Sequence, residues 1–224
     1  MIDTPLVRTR RSLHTVAEHV MGAALHGATG HIGLRAAPGG FATPAFEGPD
    51  GVTRVRVDGT DLVVERGDRL DRAPLTTVAA AAALVGIEPG APADVYTPAT
   101  PLEPDRLLDL DAPSAARLAA FFATVDLALR AVTGRDGPGD EPAQLWPEHF
   151  DLAVTVDEVN YGGSPGDDGH PLPYLYVGPW KLPGGDDPFW NEPFGASLSV
   201  DGDLDARDAA AFFEDGRFRL SPGG

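Results

Sequence analysis

The first hydrophobic pattern along the chain predicts a long amphipathic helix. Between about Thr4 and about His26, apolar residues recur at spacings of three and four. This spacing places their side chains on one face of a helix. Because Gly27 follows directly, and glycine commonly ends helices, we expect the helix to stop at His26.

A second helical stripe lies in the middle of the chain. We expect its cap at Asp111 or Ala112, with Pro113 in the first turn, where a missing N–H group costs little, and its end at Gly134. Its apolar positions are Leu118, Phe121, Phe122, Val125, Leu129 and Val132. The stripe predicts a long helix whose apolar face packs against a sheet.

Alternation of apolar and polar residues predicts the strands, and Asp58-Gly59 is a good hairpin turn between two of them. The predicted strands are 29–35, 53–57, 62–64, 150–157 and 174–177, and the shorter helices are 76–85 and 205–215. Hairpins and helices occur in clusters and do not alternate strictly. The expected class is therefore α+β, with a mainly antiparallel sheet packed against two long helices.

One proline-rich segment interrupts these elements. Residues 88–104 contain five prolines, which predicts an extended connection. A chain of 224 residues has the length of one large domain. We therefore expect a single α+β domain over residues 1–224. If the chain forms two halves, the segment 88–104 is where they join.

Composition and charge exclude several classes of function. The chain carries 17 basic and 34 acidic side chains, a formal net charge of −17. Affinity for nucleic acids and for anionic lipids depends on Lys and Arg, so we expect no nucleic-acid partner and no membrane. The absence of cysteine excludes thiol nucleophiles and cysteine-ligated metals. No apolar run reaches the roughly 18 residues of a membrane span, which predicts a cytoplasmic protein.

The strongest candidate chemistry lies just before a predicted strand, in the run Trp146-Pro147-Glu148-His149-Phe150-Asp151. Histidine exchanges protons near neutral pH, and a neighbouring carboxylate can orient it. We predict His149 as a catalytic residue, with Glu148 or Asp151 as its partner. The alternative is that His149 only hydrogen-bonds the backbone where the strand begins. Strand alternation places Asp151 near the mouth of the site and not in the core.

A long acidic loop is predicted after this strand. Residues 160–173 exceed ordinary hairpin loops, and loops beyond about 12 residues are commonly functional or disordered. As a lid, the loop would close Tyr161 and His170 over a bound molecule. Ser164 lies in a G-x-S-x-G pattern, but Pro165 lacks the N–H group that a nucleophile elbow uses for its oxyanion hole. We therefore reject a serine hydrolase at this position.

Aromatic residues are dense in the stretch that follows. Tyr174 and Tyr176 share one face of a strand, and further aromatic residues come after them. The group forms either a second core cluster or the aromatic wall of a small-molecule pocket. The predicted ligand-binding residues are Trp146, Tyr161, His170, Tyr174, Tyr176, Trp180, Trp190 and Asn191.

The acidic and histidine clusters do not predict a metal site. Residues 201–205 begin like a calcium-binding loop, but Ala206 replaces the required glycine, and a helix cap explains these carboxylates better. His14 and Glu18, one helical turn apart, are expected to form a surface pair. His19 is expected near the solvent side of the same helix. We predict no metal ligands, and the sequence indicates no particular cofactor.

Two motifs carry a resemblance to a known family. Leu145 to Ala153 resembles the L-W-P-x-H-F-D-L-A signature of uncharacterised bacterial, mostly actinobacterial, proteins in a domain family of unknown function. Trp190 to Ala196 resembles the W-N-x-P-F-G-A run of the same proteins. The resemblance implies a bacterial cytosolic protein. It implies no reaction, cofactor or catalytic residue.

Three functions are left open by the sequence. They are a small-molecule enzyme that uses His149, a ligand-binding protein built on the aromatic wall, and an acidic interaction protein without catalytic activity. A buried His149 with a shifted pKa, facing a cavity, would favour the first. A closed aromatic pocket would favour the second, and a flat acidic face the third. The first two place the site within residues 146–194, with ligand and oligomeric state open.

Overall fold

A computed structural model describes residues 4–134 and 142–221. The described chain begins with one helical rod, which we call the N-terminal helix. It consists of α1 (Pro5–Val16), a π-helical stretch (Ala17–Gly22) and α2 (Ala23–Thr29). The rod runs past Gly27, because the residue that adopts the left-handed backbone and closes it is Gly30, at φ 76°.

The first sheet follows the N-terminal helix and is antiparallel. Its strands are β1 (Arg35–Ala37), β2 (Gly40–Ala42), β3 (Phe46–Gly48), β4 (Gly51–Asp58), β5 (Asp61–Arg66) and β6 (Arg69–Pro74). They are ordered β1-β2-β4-β5-β6, and β3 also pairs with β4. The predicted hairpin is present, and Gly59, at φ 64°, lies in its turn. The edge strand β6 was not predicted, because most of its side chains are exposed.

The second sheet is an antiparallel meander that carries the candidate site. Its strands are β7 (Gln144–Trp146), β8 (Asp151–Val156), β9 (Val159–Ser164), β10 (Tyr174–Pro179) and β11 (Ala196–Ser199), paired in chain order. The two sheets meet edge to edge where Leu34 and Leu145 exchange main-chain hydrogen bonds of 2.9 and 3.0 Å. The core is continuous beneath both sheets.

The remaining helices are α3 (Val78–Val85), α4 (Ala112–Thr133) and α5 (Ala206–Leu220). The side chains of Asp111 and Asp205 cap the N-termini of α4 and α5. The carboxylate of Asp205 is therefore a helix cap, as the sequence analysis expected. The α+β class with antiparallel sheets is confirmed. The expectation of two long helices holds only in part, because α5 also packs against α4 and the N-terminal helix contains the π-helical stretch.

The apolar stripe of α4 forms the centre of the core. Leu118, Phe122 and Val125 are fully buried, as the spacing predicts. The helix packs against β1 and β2 of the first sheet and against β8 and β9 of the second. Phe122 meets Phe150 edge to face, with ring centroids 5.5 Å apart. One helix therefore supports both sheets.

The proline-rich segment 88–104 lies against the N-terminal helix. Glu18 is fully buried, and its two carboxylate oxygens accept the N–H groups of Ala99 and Thr100, each at 2.8 Å. His19 is also buried, and its ring bonds the Thr100 carbonyl at 2.9 Å and the Ala91 N–H group at 3.0 Å. The predicted pair of His14 and Glu18 is present, with 3.8 Å between Nε2 and Oε2, but it does not lie at the surface, because Glu18 is fully buried. The prediction of a solvent-side His19 was wrong. Periodicity did not reveal that an irregular segment covers this face.

The hairpin between β8 and β9 is tighter than the sequence suggests. Its turn is Asp157-Glu158, and both residues adopt positive φ, 51° and 62°. Such turns favour Asn and Gly, so the sequence carries no signal for this one. Residues 159–164 are a strand and not loop, and the connection to β10 is shorter than the predicted 160–173.

Candidate functional site

An open cleft of about 1430 Å³ lies among the N-terminal helix, the segment 99–109 and the second sheet. Its wall contains six of the residues that the sequence singles out, namely Glu148, His149, Asp151, Tyr174, Tyr176 and Trp180. They come from the turn before β8, from β8 itself, and from β10 and its end. The fold therefore brings together groups that lie as far apart in the chain as Glu148 and Trp180.

The carboxyl group of Asp151 lies at the base of this cleft and is only 8% exposed. The Tyr176 hydroxyl donates a hydrogen bond to Oδ2, whereas the buried Oδ1 has no hydrogen-bond partner among the described residues. Burial raises the pKa of Asp151, and this outweighs the opposing effects of Tyr176 and His149. The expectation that Asp151 lies near the mouth was wrong, because Tyr176 reaches over it from β10.

Glycine at position 162 makes the contact between Tyr176 and Asp151 possible. Gly162 on β9 pairs with Tyr176 on one side and with Ala153 of β8 on the other. A Cβ atom at this position would lie 2.6 Å from the Tyr176 hydroxyl oxygen. The ring therefore lies over the glycine and reaches β8. Burial and the neighbouring carboxylate raise the pKa of Tyr176 well above its usual value, so the phenol keeps its proton.

A strained turn delivers Asp151 to the cleft. Phe150 adopts φ 53°, which is unfavourable for a bulky residue, and its buried ring is held from several sides. His14 stacks on it at 5.1 Å, and Phe41 meets it edge to face at 5.4 Å. The His14 Nε2 atom donates to the Pro147 carbonyl at 2.7 Å. The N-terminal helix thus fixes the turn through a ring contact and a hydrogen bond.

Glu148 and His149 line the cleft from the same turn but differ in burial. The Oε2 atom of Glu148 is buried and has no hydrogen-bond partner among the described residues, and the same is true of the Tyr96 hydroxyl. The charge of Glu148 contributes, after burial and Glu18, to a raised pKa of Tyr96. His149 is exposed. The buried group on this turn with a shifted pKa is Asp151, whose pKa is raised.

The loop after β9 is tied to the cleft by a hydrogen-bond network around Asp167. Its Oδ1 accepts the N–H groups of Gly169 and His170, and its Oδ2 accepts the Tyr174 hydroxyl, each at 2.7 Å. Although burial opposes it, these bonds lower the pKa of Asp167 overall. His170 also contacts Glu192 at 3.0 Å. Asp167 lines the cleft, whereas His170 stands behind it.

Arg10 is a cleft residue that the sequence analysis did not identify. It is only 5% exposed, and its two terminal nitrogens donate to the main-chain carbonyls of Pro171 and Asp167 at 3.3 and 3.4 Å. Burial, followed by the charge of Arg11, lowers the pKa of Arg10. A signal was present: Arg10 follows Leu6 by four positions and precedes Leu13 by three, so it occupies the apolar stripe.

Several predicted ligand-binding residues lie outside the cleft. Tyr161 is buried on the other side of its strand, where its ring meets Phe213 of α5 edge to face at 6.2 Å. Trp190 packs with Phe189, which contacts α5. Asn191 exchanges two hydrogen bonds with the main chain of Ser197. Trp146 pairs with Asp151 in the sheet and does not line the cleft, whose rim includes Phe194 instead.

Comparisons with known proteins leave the site to be interpreted from its own geometry. No protein-family model matches the chain, and neither the curated proteins nor the solved structures contain a match. Within residues 4–134 and 142–221, no helix has the length and apolar character needed to cross a membrane. In the same residues, no group of three or more His, Asp or Glu side chains is arranged to hold a metal ion.

Proposed function

We propose that the protein is an enzyme that transfers a proton to or from a small molecule bound in the cleft, with Asp151 as the acid–base residue. One observation carries the proposal: a buried carboxyl group lines the cleft with one oxygen bonded to Tyr176 and the other without a partner among the described residues. Buried polar groups in proteins are nearly always hydrogen-bonded. An exception in a cleft wall is therefore a good candidate for a group that binds a ligand.

The surroundings of Asp151 favour its protonated form. Burial raises the pKa of the carboxyl group, because a poorly solvated site disfavours the carboxylate. The Tyr176 hydroxyl keeps its own proton and donates a hydrogen bond to Oδ2. The carboxylic proton therefore belongs on Oδ1, the oxygen without a protein partner. This is the arrangement that a general acid needs.

The proposed reaction uses this proton directly. Oδ1–H donates to a basic atom of the substrate, and the carboxylate that results keeps the hydrogen bond from Tyr176. When product leaves, the carboxylate takes up a proton from water that enters the open cleft, and the cycle closes. Proton transfer by a positioned side chain typically contributes about 10²–10⁴ in rate. Tyr176 is a positioning residue in this scheme, because it acts through the carboxyl group.

Glu148 and His149 supply the second half of the proton path. Both line the cleft on the turn that precedes Asp151. The Oε2 atom of Glu148, which has no partner among the described residues, accepts a proton or hydrogen bond from the substrate, and the exposed His149 passes protons between the cleft and water. His149, which the sequence predicts as the catalytic residue, is thus proposed to relay protons to and from Asp151.

The rim of the cleft favours a second candidate function, namely ligand binding without chemistry. Trp180 is 69% exposed and Phe194 41% exposed, and both line the cleft. Exposed aromatic side chains at a cleft commonly contact the apolar part of a ligand. A cleft of this size favours a small-molecule ligand over the acidic interaction protein, for which a flat acidic face is expected. Product formation separates the two candidates.

The test is a comparison of variants on a defined mixture of bacterial metabolites, followed by mass spectrometry. We expect the wild type to convert at least one compound, and Asp151→Asn to convert it at least 100-fold more slowly. Asp126→Asn, which removes a carboxylate of α4 outside the cleft, is the matched control and should behave as wild type.

Tyr176→Phe sharpens the assignment through the pH profile. Because the Tyr176 hydroxyl stabilises the carboxylate, its removal raises the pKa of Asp151 and shifts the ionisation seen in the rate to higher pH. A compound that binds but is never converted would support the binding protein instead. A wild-type rate in Asp151→Asn would exclude Asp151 as the acid–base residue.

A further inference from the structure

Charged side chains that are buried fall into two groups in this protein. In the described residues, the buried carboxylates and guanidinium groups are Arg10, Glu18 and Asp151. Glu18 lies away from the cleft wall, and both of its oxygens accept main-chain N–H groups. Arg10 and Asp151 both line the cleft, and both are incompletely bonded. Asp151 belongs to the function proposed above, which leaves Arg10 to be explained.

The hydrogen-bonding capacity of Arg10 greatly exceeds what the protein uses. A guanidinium group offers five N–H donors. The described chain supplies two acceptors, the carbonyls of Pro171 and Asp167, at the long distances of 3.3 and 3.4 Å. The carboxylate of Asp167 is already occupied by Tyr174 and two main-chain N–H groups. A buried cation therefore faces a cleft without a bonded anion.

The neighbouring arginines of the cleft differ from Arg10 in this respect. Arg8 lies 2.8 Å from a carboxylate oxygen of Asp109, Arg11 lies 3.3 Å from one of Asp168, and Arg106 lies 2.6 Å from one of Glu103. All three pairs are exposed. Arg10, the most buried of the four arginines, has no carboxylate within ion-pair distance among the described residues.

We propose that Arg10 binds an anionic group of the substrate, a carboxylate or a phosphate, and so holds the substrate against Asp151. The planar fork of a guanidinium group matches both anions with paired hydrogen bonds. A chain of contacts connects the two groups. Arg10 donates to the Asp167 carbonyl, and the Tyr174 hydroxyl donates to the Asp167 carboxylate. The Tyr174 ring lies 6.3 Å from that of Tyr176, which bonds Asp151. That the anion is part of a substrate rests on the proposed function, whereas the anion site does not.

The other walls of the cleft indicate what the anion is attached to. Trp180, Phe194 and Leu107 line the cleft and are exposed, Leu107 by 76%. A molecule that reaches from Arg10 to these side chains combines one anionic group with an apolar or aromatic body. Benzoate and phenyl phosphate have this form. Because both carry the same phenyl ring, a comparison of their affinities shows whether the site prefers a carboxylate or a phosphate.

The test measures binding of benzoate and of phenyl phosphate by calorimetry at low chloride. We expect saturable binding of at least one of them to the wild type, weakened at least tenfold in Arg10→Gln. Arg130→Gln removes the same charge from an exposed pair on α4 and should bind as wild type.

A measurement on the wild type guards against misfolding of the Arg10 variant. The guanidinium N–H signal of Arg10, followed by NMR, should shift saturably with the same probe. Absence of binding by both probes, unchanged affinity in Arg10→Gln, or an Arg10 signal that does not respond would each overturn the anion site. Because none of these readouts depends on turnover, failure here is distinct from failure of Asp151 in the metabolite assay.

Discussion

Two carboxyl groups, those of Glu18 and Asp151, are similarly buried in this protein but differ in the number of hydrogen bonds that they accept. Glu18 accepts the N–H groups of Ala99 and Thr100, and the Thr100 hydroxyl as well. Asp151 receives one hydroxyl, from Tyr176, and its second oxygen has no partner among the described residues. The first carboxylate anchors an irregular segment, and the second faces a cleft.

The difference shows how a buried charge can be assigned to structure or to function. Burial of an ionised group is costly unless hydrogen bonds replace its lost hydration. Where the chain supplies all of those bonds, as at Glu18, the group contributes to folding. Where the chain supplies only some of them at the wall of a cleft, as at Asp151 and Arg10, part of the bonding is left for a ligand.

Replacement of Glu18 by Ala should have the largest effect on stability. The change leaves two part-buried N–H groups of the segment 88–104, those of Ala99 and Thr100, without their acceptor, at about 1–3 kcal/mol each. We expect the free energy of unfolding to fall by about 4 kcal/mol, measured by urea denaturation. A loss below about 1 kcal/mol would mean that Glu18 is not structural, and the comparison with Asp151 would fail.

Replacement of Asp151 by Asn should act in the opposite direction. Because the folded pKa of Asp151 is raised, its contribution to stability is greatest below the ordinary pKa and is lost as the pH rises through the folded value. Asn lacks this pH dependence. We therefore expect the variant to equal or exceed the wild type at pH 7.5 by about 1 kcal/mol, with the advantage disappearing in acid.

Urea denaturation between pH 4 and pH 8 measures this trend. Asp126→Asn again serves as the control, because its ion pair with Arg130 is partly exposed and should contribute less than about 0.5 kcal/mol. A variant of Asp151 that loses several kcal/mol at neutral pH would place this carboxylate with Glu18, among the structural groups.

Replacement of His14 by Phe should have the smallest effect and tests whether the two regions act independently. The phenyl ring keeps the stacking on Phe150 but loses the hydrogen bond to Pro147 and the 3.8 Å contact of Nε2 with Glu18. We expect a loss of about 1 kcal/mol, equal within about 0.5 kcal/mol in the wild type and in Asp151→Asn. Unequal losses would show that His14 acts on the carboxyl group as well as on the turn.

Elements with strong local signals were predicted closely. The helix α4 begins at the cap Asp111 and ends at Gly134, and Phe122 is buried as its spacing requires. Strand β8 and the β4–β5 hairpin lie where the alternation predicts them, although both faces of β8 are buried from Asp151 to Val154. Each of these signals is repeated within one element, so a single stretch of sequence is sufficient to detect it.

Elements stabilised by distant contacts were missed. The turn Asp157-Glu158 contains neither Asn nor Gly, and β9 was therefore placed in a loop. Glu18 and His19 were expected at the surface, because the helix periodicity does not show that residues 90–100 cover that face. A buried polar side chain is explained only by its partner, and here the partner lies in a different element.

For the candidate site, local sequence reached the turn Glu148-His149 and the tyrosines of β10, since unusual residue types cluster there. Only the tertiary structure decided which carboxyl group is buried, which of its oxygens is bonded, and that Arg10 joins it in one cleft. The physical reason is that the pKa of a side chain, and whether its polar atoms find hydrogen-bond partners, depend on every group within a few ångströms. In this protein those groups come from the N-terminal helix and from two strands more than a hundred residues away.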